Sequence, residues 1–248
     1  MTAPAPPRAR QATVTLLVAL GAVLVAAVLV VWNNLVVPHL PADPGVRTIA
    51  NVALVAVLVA GARTCGLTWA DLGLCRTTWR EGALWGGGAV AVAALVYVVA
   101  YLLPVTRPLL ERPGVGADPT SELLLRALVI IPIGTVLCEE LAFRGVLHAL
   151  GVRVLPARAA LVVGASVFGA WHVAGAMAAP VTAPVTEAGL PPGMSATALA
   201  VVVVVGVTVP GGVLLAAVRR RTGSLLAPIG VHLGTNVIGL VAVVLATR

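Results

Sequence analysis

The sequence predicts an all-α, polytopic membrane protein: a transmembrane helix bundle of about seven spans (six to eight), with its N-terminus cytoplasmic. Three observations predict it. Hydrophobic residues make up 60% of the 248-residue chain and charged residues 10%, against about 25% charged in a soluble domain. The mean hydropathy is +1.06, which leaves too little charge to keep a disordered chain solvated. The apolar residues also come in long runs, near the roughly 20 residues that a spanning helix needs, not in the short alternating segments of a membrane barrel.

Residues 1–12 read as a disordered N-terminal tail rich in Pro, Ala and Arg. The apolar run from Thr13 to Trp32 follows. It is longer than the 7–15-residue core of a signal peptide and has no clean cleavage site after it, so it reads as a first span. Asn33 to Arg47 reads as a loop, because it contains Pro38, Pro41 and Pro44. Thr48–Ala62 reads as a second span, and Arg63–Arg80, with Trp69 and Trp79, as an interfacial stretch. Further spans are expected over 81–103, 123–150, 157–179, 196–218 and 224–246, the sixth kinked at Pro210. Loops rich in Pro are expected over 105–122 and 180–195. Residues 13–119 thus form N-terminal helices and loops, and 120–248 a helical core that carries the chemistry.

All 16 basic residues are Arg, and with nine acids they give a net charge of +7. No basic stripe with interleaved aromatics is present, so a nucleic-acid partner is not expected. The Arg excess instead suits cytoplasmic loops that meet anionic headgroups. Arg8, Arg10, Arg63, Arg76, Arg80, Arg153, Arg158, Arg219, Arg220 and Arg221 fall on one side of a seven-span topology. Arg47, Arg107, Arg112 and Arg248 fall on the other. That imbalance predicts N-in, C-out orientation in a plasma membrane. Cys65, Cys75 and Cys138 show no CxxC spacing, so neither a disulfide framework nor a zinc finger is indicated. The GxxxG pairs Gly82/Gly86 and Gly230/Gly234 read as close packing between helices of the same chain.

An ionisable residue in the bilayer core costs about 2.5 kcal/mol or more, so it needs a partner or a task. The interiors of the first, third and sixth spans hold none. The fourth holds Arg126, Glu139, Glu140, Arg144 and His148; the fifth holds His172; the seventh holds His232 and Asn236. At a helical rise of about 1.5 Å per residue, Glu139, His172 and His232 lie roughly 12–21 Å in from the same membrane face. Residues four apart share a helix face, which pairs Glu140 with Arg144 and leaves Glu139 turned elsewhere. Arg126, near the outer end, reads as a snorkelling side chain. A carboxylate, two imidazoles and an amide in an apolar pocket suit a general base for water, with donors for a developing oxyanion. The same Glu and His atoms could hold a metal, although no HExxH motif is present.

These residues resemble the motifs of the CPBP (Abi) intramembrane proteases, which are related to the type II CAAX prenyl endopeptidases. The first motif, EExxxR, is Glu139-Glu140-Leu141-Ala142-Phe143-Arg144; the second, FxxxH, is Phe168 to His172; the third, HxxxN, is His232 to Asn236. The resemblance covers about residues 120–245. It implies a glutamate-dependent intramembrane endopeptidase in which Glu139 and His172 activate water. His232 and Asn236 would then support the oxyanion, and Glu140 with Arg144 would hold the architecture. Phe168 supports the second motif. No cofactor is required by the sequence; a zinc ion, if present, would sit on Glu139, His172 and His232. The partners implied are the lipid bilayer and a peptide or membrane-associated protein substrate. Two other readings stay open: a transporter or proton relay, and a non-catalytic membrane immunity or binding protein.

Overall fold

The structure, a computed structural model, describes residues 8–111, 118–178 and 194–248. It is helical, with no strand among these residues, and seven of its helices are long and apolar enough to cross a membrane. They are α1 (Arg8–Val31), α2 (Pro44–Thr64), α3 (Trp79–Leu102), α4 (Thr120–Gly151), the pair α5 (Ala157–Trp171) and α6 (Val173–Ala178), α7 (Ala196–Thr222) and α8 (Leu226–Thr247). Large apolar side chains stand exposed along them, such as Leu16, Leu17, Leu20, Leu84, Leu95 and Leu128. Such surfaces belong against lipid rather than water.

The element limits depart from the sequence reading at several points. Arg8 to Ala12, expected in the tail, are already helical; Met1–Pro7 lie outside the described residues. The loop expected from Asn33 is helix instead. α1 runs on through a π-helical turn at Trp32–Val36 and a 3-10 turn at Val37–His39. Only at Leu40 does the backbone become extended. Pro44 starts α2 rather than breaking it, because a first-turn Pro loses no helical hydrogen bond. Asp43 caps that turn by accepting from the Val46 amide at 2.9 Å. The loop expected over 180–195 lies almost wholly outside the described residues, as do residues 112–117 of the one over 105–122.

The fourth span differs most from a regular helix. Arg126–Leu137 and Glu140–Leu147 are π-helical. Pro132 sits inside the first of these. Its ring would clash with a carbonyl one α-turn earlier, and a wider turn relieves that clash.

The chain divides into two compact units, Met1–Leu40 with Val146–Ala216, and Pro41–Gly145 with Ala217–Arg248. In the first, small residues set the helix spacing. Gly169 on α5 lies against Val205 and Val209 on α7, and Gly212 on α7 lies against Ala165 and Phe168. In the second, α3 packs along the first half of α8, and the two GxxxG motifs meet within the chain as expected. A Cβ on Gly230 would run into the Gly86 backbone, and one on Gly86 into the Leu226 carbonyl of α8. Asn51 of α2 donates to the Gly134 carbonyl of α4 at 3.1 Å.

The interfacial loop 65–75 is docked on the α7–α8 corner of this unit. Leu225 N–H donates to the Gly73 carbonyl at 2.9 Å. The buried Arg219 guanidinium donates to the Asp71 carbonyl at 3.0 Å. Gly73 has φ +76°, and a Cβ there would also collide with Arg219. Arg63 and Arg76 lie over the Trp69 and Trp79 rings at 4.7 and 5.6 Å. Beside Trp79, the Thr77 hydroxyl lies 3.1 Å from Cys75 Sγ; its bond to the thiolate holds this thiol below its ordinary pKa. Arg126 does not simply snorkel. Its guanidinium pairs with Glu122 at 2.5 Å and Asp118 at 3.3 Å, because acids are within reach at the start of α4.

Candidate active site

In the second unit, α4 and α8 bring four ionisable side chains together. Glu139, Glu140, Arg144 and His232 are 7%, 0%, 2% and 8% exposed, so each must be compensated within the protein. Glu140 is the hub. Its Oε1 accepts from Arg144 at 3.1 Å, the pairing that the i,i+4 spacing predicts, and from His232 Nδ1 at 2.8 Å. The second of these bonds was not legible in the sequence. A carboxylate oxygen only accepts, so Nδ1 carries the proton in that bond. This fixes the ring and turns Nε2 toward Glu139, with Nε2 and Oε2 3.8 Å apart. Glu139, read from the sequence as turned elsewhere than its neighbour, shares a histidine with it: Glu140 is tied to Arg144 and His232 Nδ1, and Glu139 faces His232 Nε2.

Local backbone explains the aim. Gly145 follows Arg144, and the space beside it is occupied by the Leu72 carbonyl and the Leu225 side chain. Leu72 and Leu225 are fully buried. Gly234, at the end of the helical turn that carries His232, lies against Ala93 and Val90 of α3. This close approach holds the His232 turn against a rigid neighbour. Asn236 stands one turn further on, in the π-helical segment Gly234–Ile238. It is half-buried, and its Oδ1 accepts from the Thr235 hydroxyl at 3.3 Å.

Phe168 and His172 belong to the first unit. Phe168 is buried at the end of α5, wedged by Gly212. His172 is half-buried and is the single non-helical residue between α5 and α6, at φ −90° and ψ 0°. Its ring sits edge-on to Phe168 with centroids 4.7 Å apart. Its Nδ1 lies 2.7 Å from the Phe168 carbonyl oxygen. The FxxxH spacing thus has a local meaning: the residue four positions earlier supplies both a ring wall and a backbone acceptor.

Sequence reasoning missed two residues here. Asn33 and Asn34, assigned to a loop, are bonded to the backbone around His172. The signal that would have found them is the cost of an amide in a membrane, which demands a partner.

Among the described residues, no three or more His, Cys, Asp or Glu side chains form a group that could hold a metal ion. His232 Nδ1 donates to Glu140, which leaves Nε2 as the ring nitrogen that faces Glu139.

Residues 121–238 match the family model described as Type II CAAX prenyl endopeptidase Rce1-like, a stretch that contains all three motifs. No curated protein and no solved structure matches the chain. Residues 121–238, a little under half of the chain, are therefore similar to the Rce1-like type II CAAX prenyl endopeptidases, which supports the CPBP relation that EExxxR, FxxxH and HxxxN suggest.

Proposed function

We propose that this protein is an intramembrane endopeptidase that hydrolyses a peptide bond by a glutamate- and histidine-activated water. The family relation supports a CAAX-protease-like membrane endopeptidase in general terms. The observation that carries the finer reading is the buried Glu139–His232–Glu140–Arg144 chain. Two acids, one Arg and one His lie together in this buried cluster, with His232 Nε2 3.8 Å from Glu139 Oε2. A group that exchanges one proton inside such a cluster is suited to general acid–base work.

In this reading Glu139 takes a proton from water while the water oxygen attacks the substrate carbonyl carbon; the part of His172 in that step rests on the FxxxH motif alone. The carbonyl oxygen becomes an oxyanion, stabilised by N–H donors from His232 and Asn236. The proton on Glu139 passes to the amide nitrogen, the C–N bond breaks, and an acid and an amine leave. Arg144 and Glu140 hold His232 in register. No step is routed through a metal.

The test uses the full chain in lipid nanodiscs with a fluorogenic farnesylated CAAX-type peptide and its unprenylated counterpart. Glu139→Gln and His172→Ala are expected to lower kcat by about a hundredfold or more while the thermal unfolding curve stays near the parent's. Cleavage at the parent's rate by folded Glu139→Gln overturns the assignment. Addition of a zinc chelator is expected to leave the parent's rate unchanged.

A further inference from the structure

We propose that Asn33 and Asn34 are positioning residues for His172, a clamp of two side-chain amides that sets the tautomer of the imidazole; its catalytic consequence rests on the reading above. The helix break at His172 leaves backbone groups without partners along the helix, as every helix end does. His172 N–H bends back to Gly169 O at 3.1 Å, and Ala176 N–H takes up the His172 carbonyl at 3.0 Å. Three further groups at the break are met from α1. Asn33 Nδ2 donates to Trp171 O at 2.6 Å and Asn34 Nδ2 to Ala170 O at 2.9 Å. Asn34 Oδ1 accepts from Ala174 N–H at 2.7 Å. One side-chain amide thus caps the C-terminus of α5 and the N-terminus of α6 together. Its second N–H goes to Val30 O at 2.8 Å, within α1 itself.

This arrangement has a consequence for the imidazole. The Phe168 carbonyl can only accept, so Nδ1 of His172 must carry the proton in the 2.7 Å contact. That tautomer leaves the Nε2 lone pair as the basic position. It persists only while Phe168 O and the His172 ring keep their geometry. Phe168 is held by packing against Gly212, and the turn that carries His172 is held by the two asparagines. Backbone groups freed at a break within a membrane span need partners from the protein, and the two amides supply them. The widened π-helical turn at Trp32–Val36 is what presents both neighbours, Asn33 and Asn34, to the same helix break.

The experiment reads the tautomer directly. The full chain is labelled with ¹⁵N-histidine and placed in nanodiscs, and the ring nitrogens are observed by NMR, with the His172 signals assigned by His172→Gln. In the parent, His172 is expected as the Nδ1–H tautomer. In Asn34→Ala, and more so in Asn33→Ala/Asn34→Ala, the His172 signals are expected to move toward a tautomer mixture. Asn34→Asp, which keeps the Ala174 bond and loses the donation to Ala170 O, should fall between parent and Asn34→Ala. Asn51→Ala removes a membrane amide bond to Gly134 O of the same kind and serves as the control for general loosening. It is expected to leave the His172 signals in place. With the peptide probe, Asn34→Ala should lower kcat on the order of tenfold to a hundredfold with little change in KM. His172 signals identical to the parent's in folded Asn34→Ala, or in folded Asn34→Asp where Asn34→Ala does not fold, overturn the clamp. An equal shift in Asn51→Ala overturns it too. The nitrogen spectra need no substrate, so a parent without peptidase activity would count against the proteolytic reading while the clamp is still decided.

Discussion

At Glu140, one carboxylate oxygen serves two partners, and the outcome of removing it follows from that. Glu140→Gln removes the carboxylate charge that Arg144 and His232 Nδ1 share and leaves a neutral amide oxygen in its place. Breaking a buried ion pair from one side costs about 3–5 kcal/mol. We expect Glu140→Gln and Arg144→Met each to destabilise by that order, and the double variant to lose clearly less than both losses combined. A double-mutant cycle of unfolding in mixed detergent measures this; additive losses would mean the pair is not coupled. The EExxxR spacing made the Arg144 partner legible, because i,i+4 is a property of one helix. The His232 partner, 92 positions away, depends on how α8 lies against α4, which no local spacing encodes.

Among the elements, α3 and α8 show what close packing demands. Their GxxxG motifs interlock at Gly86 and Gly230, where no Cβ fits. Replacement by a larger residue forces the backbones apart, at about 1–3 kcal/mol for an overpacked core. Gly86→Val and Gly230→Val should each lower the unfolding midpoint, whereas Gly87→Ala, with nothing within 4 Å of its Cβ position, should not. Because α8 also carries His232, the two destabilising substitutions should lower the peptidase rate as well. The seven spans were legible from run length alone. Their ends were less so: α1 continues through Asn33 and Asn34, which turn-forming preferences assign to a loop. That preference is a property of water-exposed chain. In a membrane, an asparagine bonded to a neighbouring helix continues the helix without loss.

For the molecule as a whole, the distribution of Arg predicts which ends face the cytoplasm. The loop between α2 and α3 carries Cys65, which is exposed, and Cys75, which is partly so. With a cytoplasmic N-terminus, a membrane-impermeant maleimide should label these thiols in inverted vesicles and not in intact cells. Labelling in intact cells reverses the orientation. Thr77 holds the Cys75 thiol below its ordinary pKa, so its labelling should set in at lower pH than that of an unassisted thiol. Thr77→Val should move its onset to higher pH.

The amino-acid sequence by itself determined the helical class, the number of spans and the three motifs. These depend on run length, composition and short spacing, which are one-dimensional properties enforced by a lipid solvent that tolerates no unsatisfied backbone. Only the tertiary structure decided that Glu140 rather than Glu139 holds His232 Nδ1, that α4 widens into π-turns around Pro132, and that two asparagines of α1 cap the break at His172. Each of these is a contact between distant segments or a change of helical pitch. The bonds that settle it are made where helices meet, between groups that the linear order of residues leaves far apart.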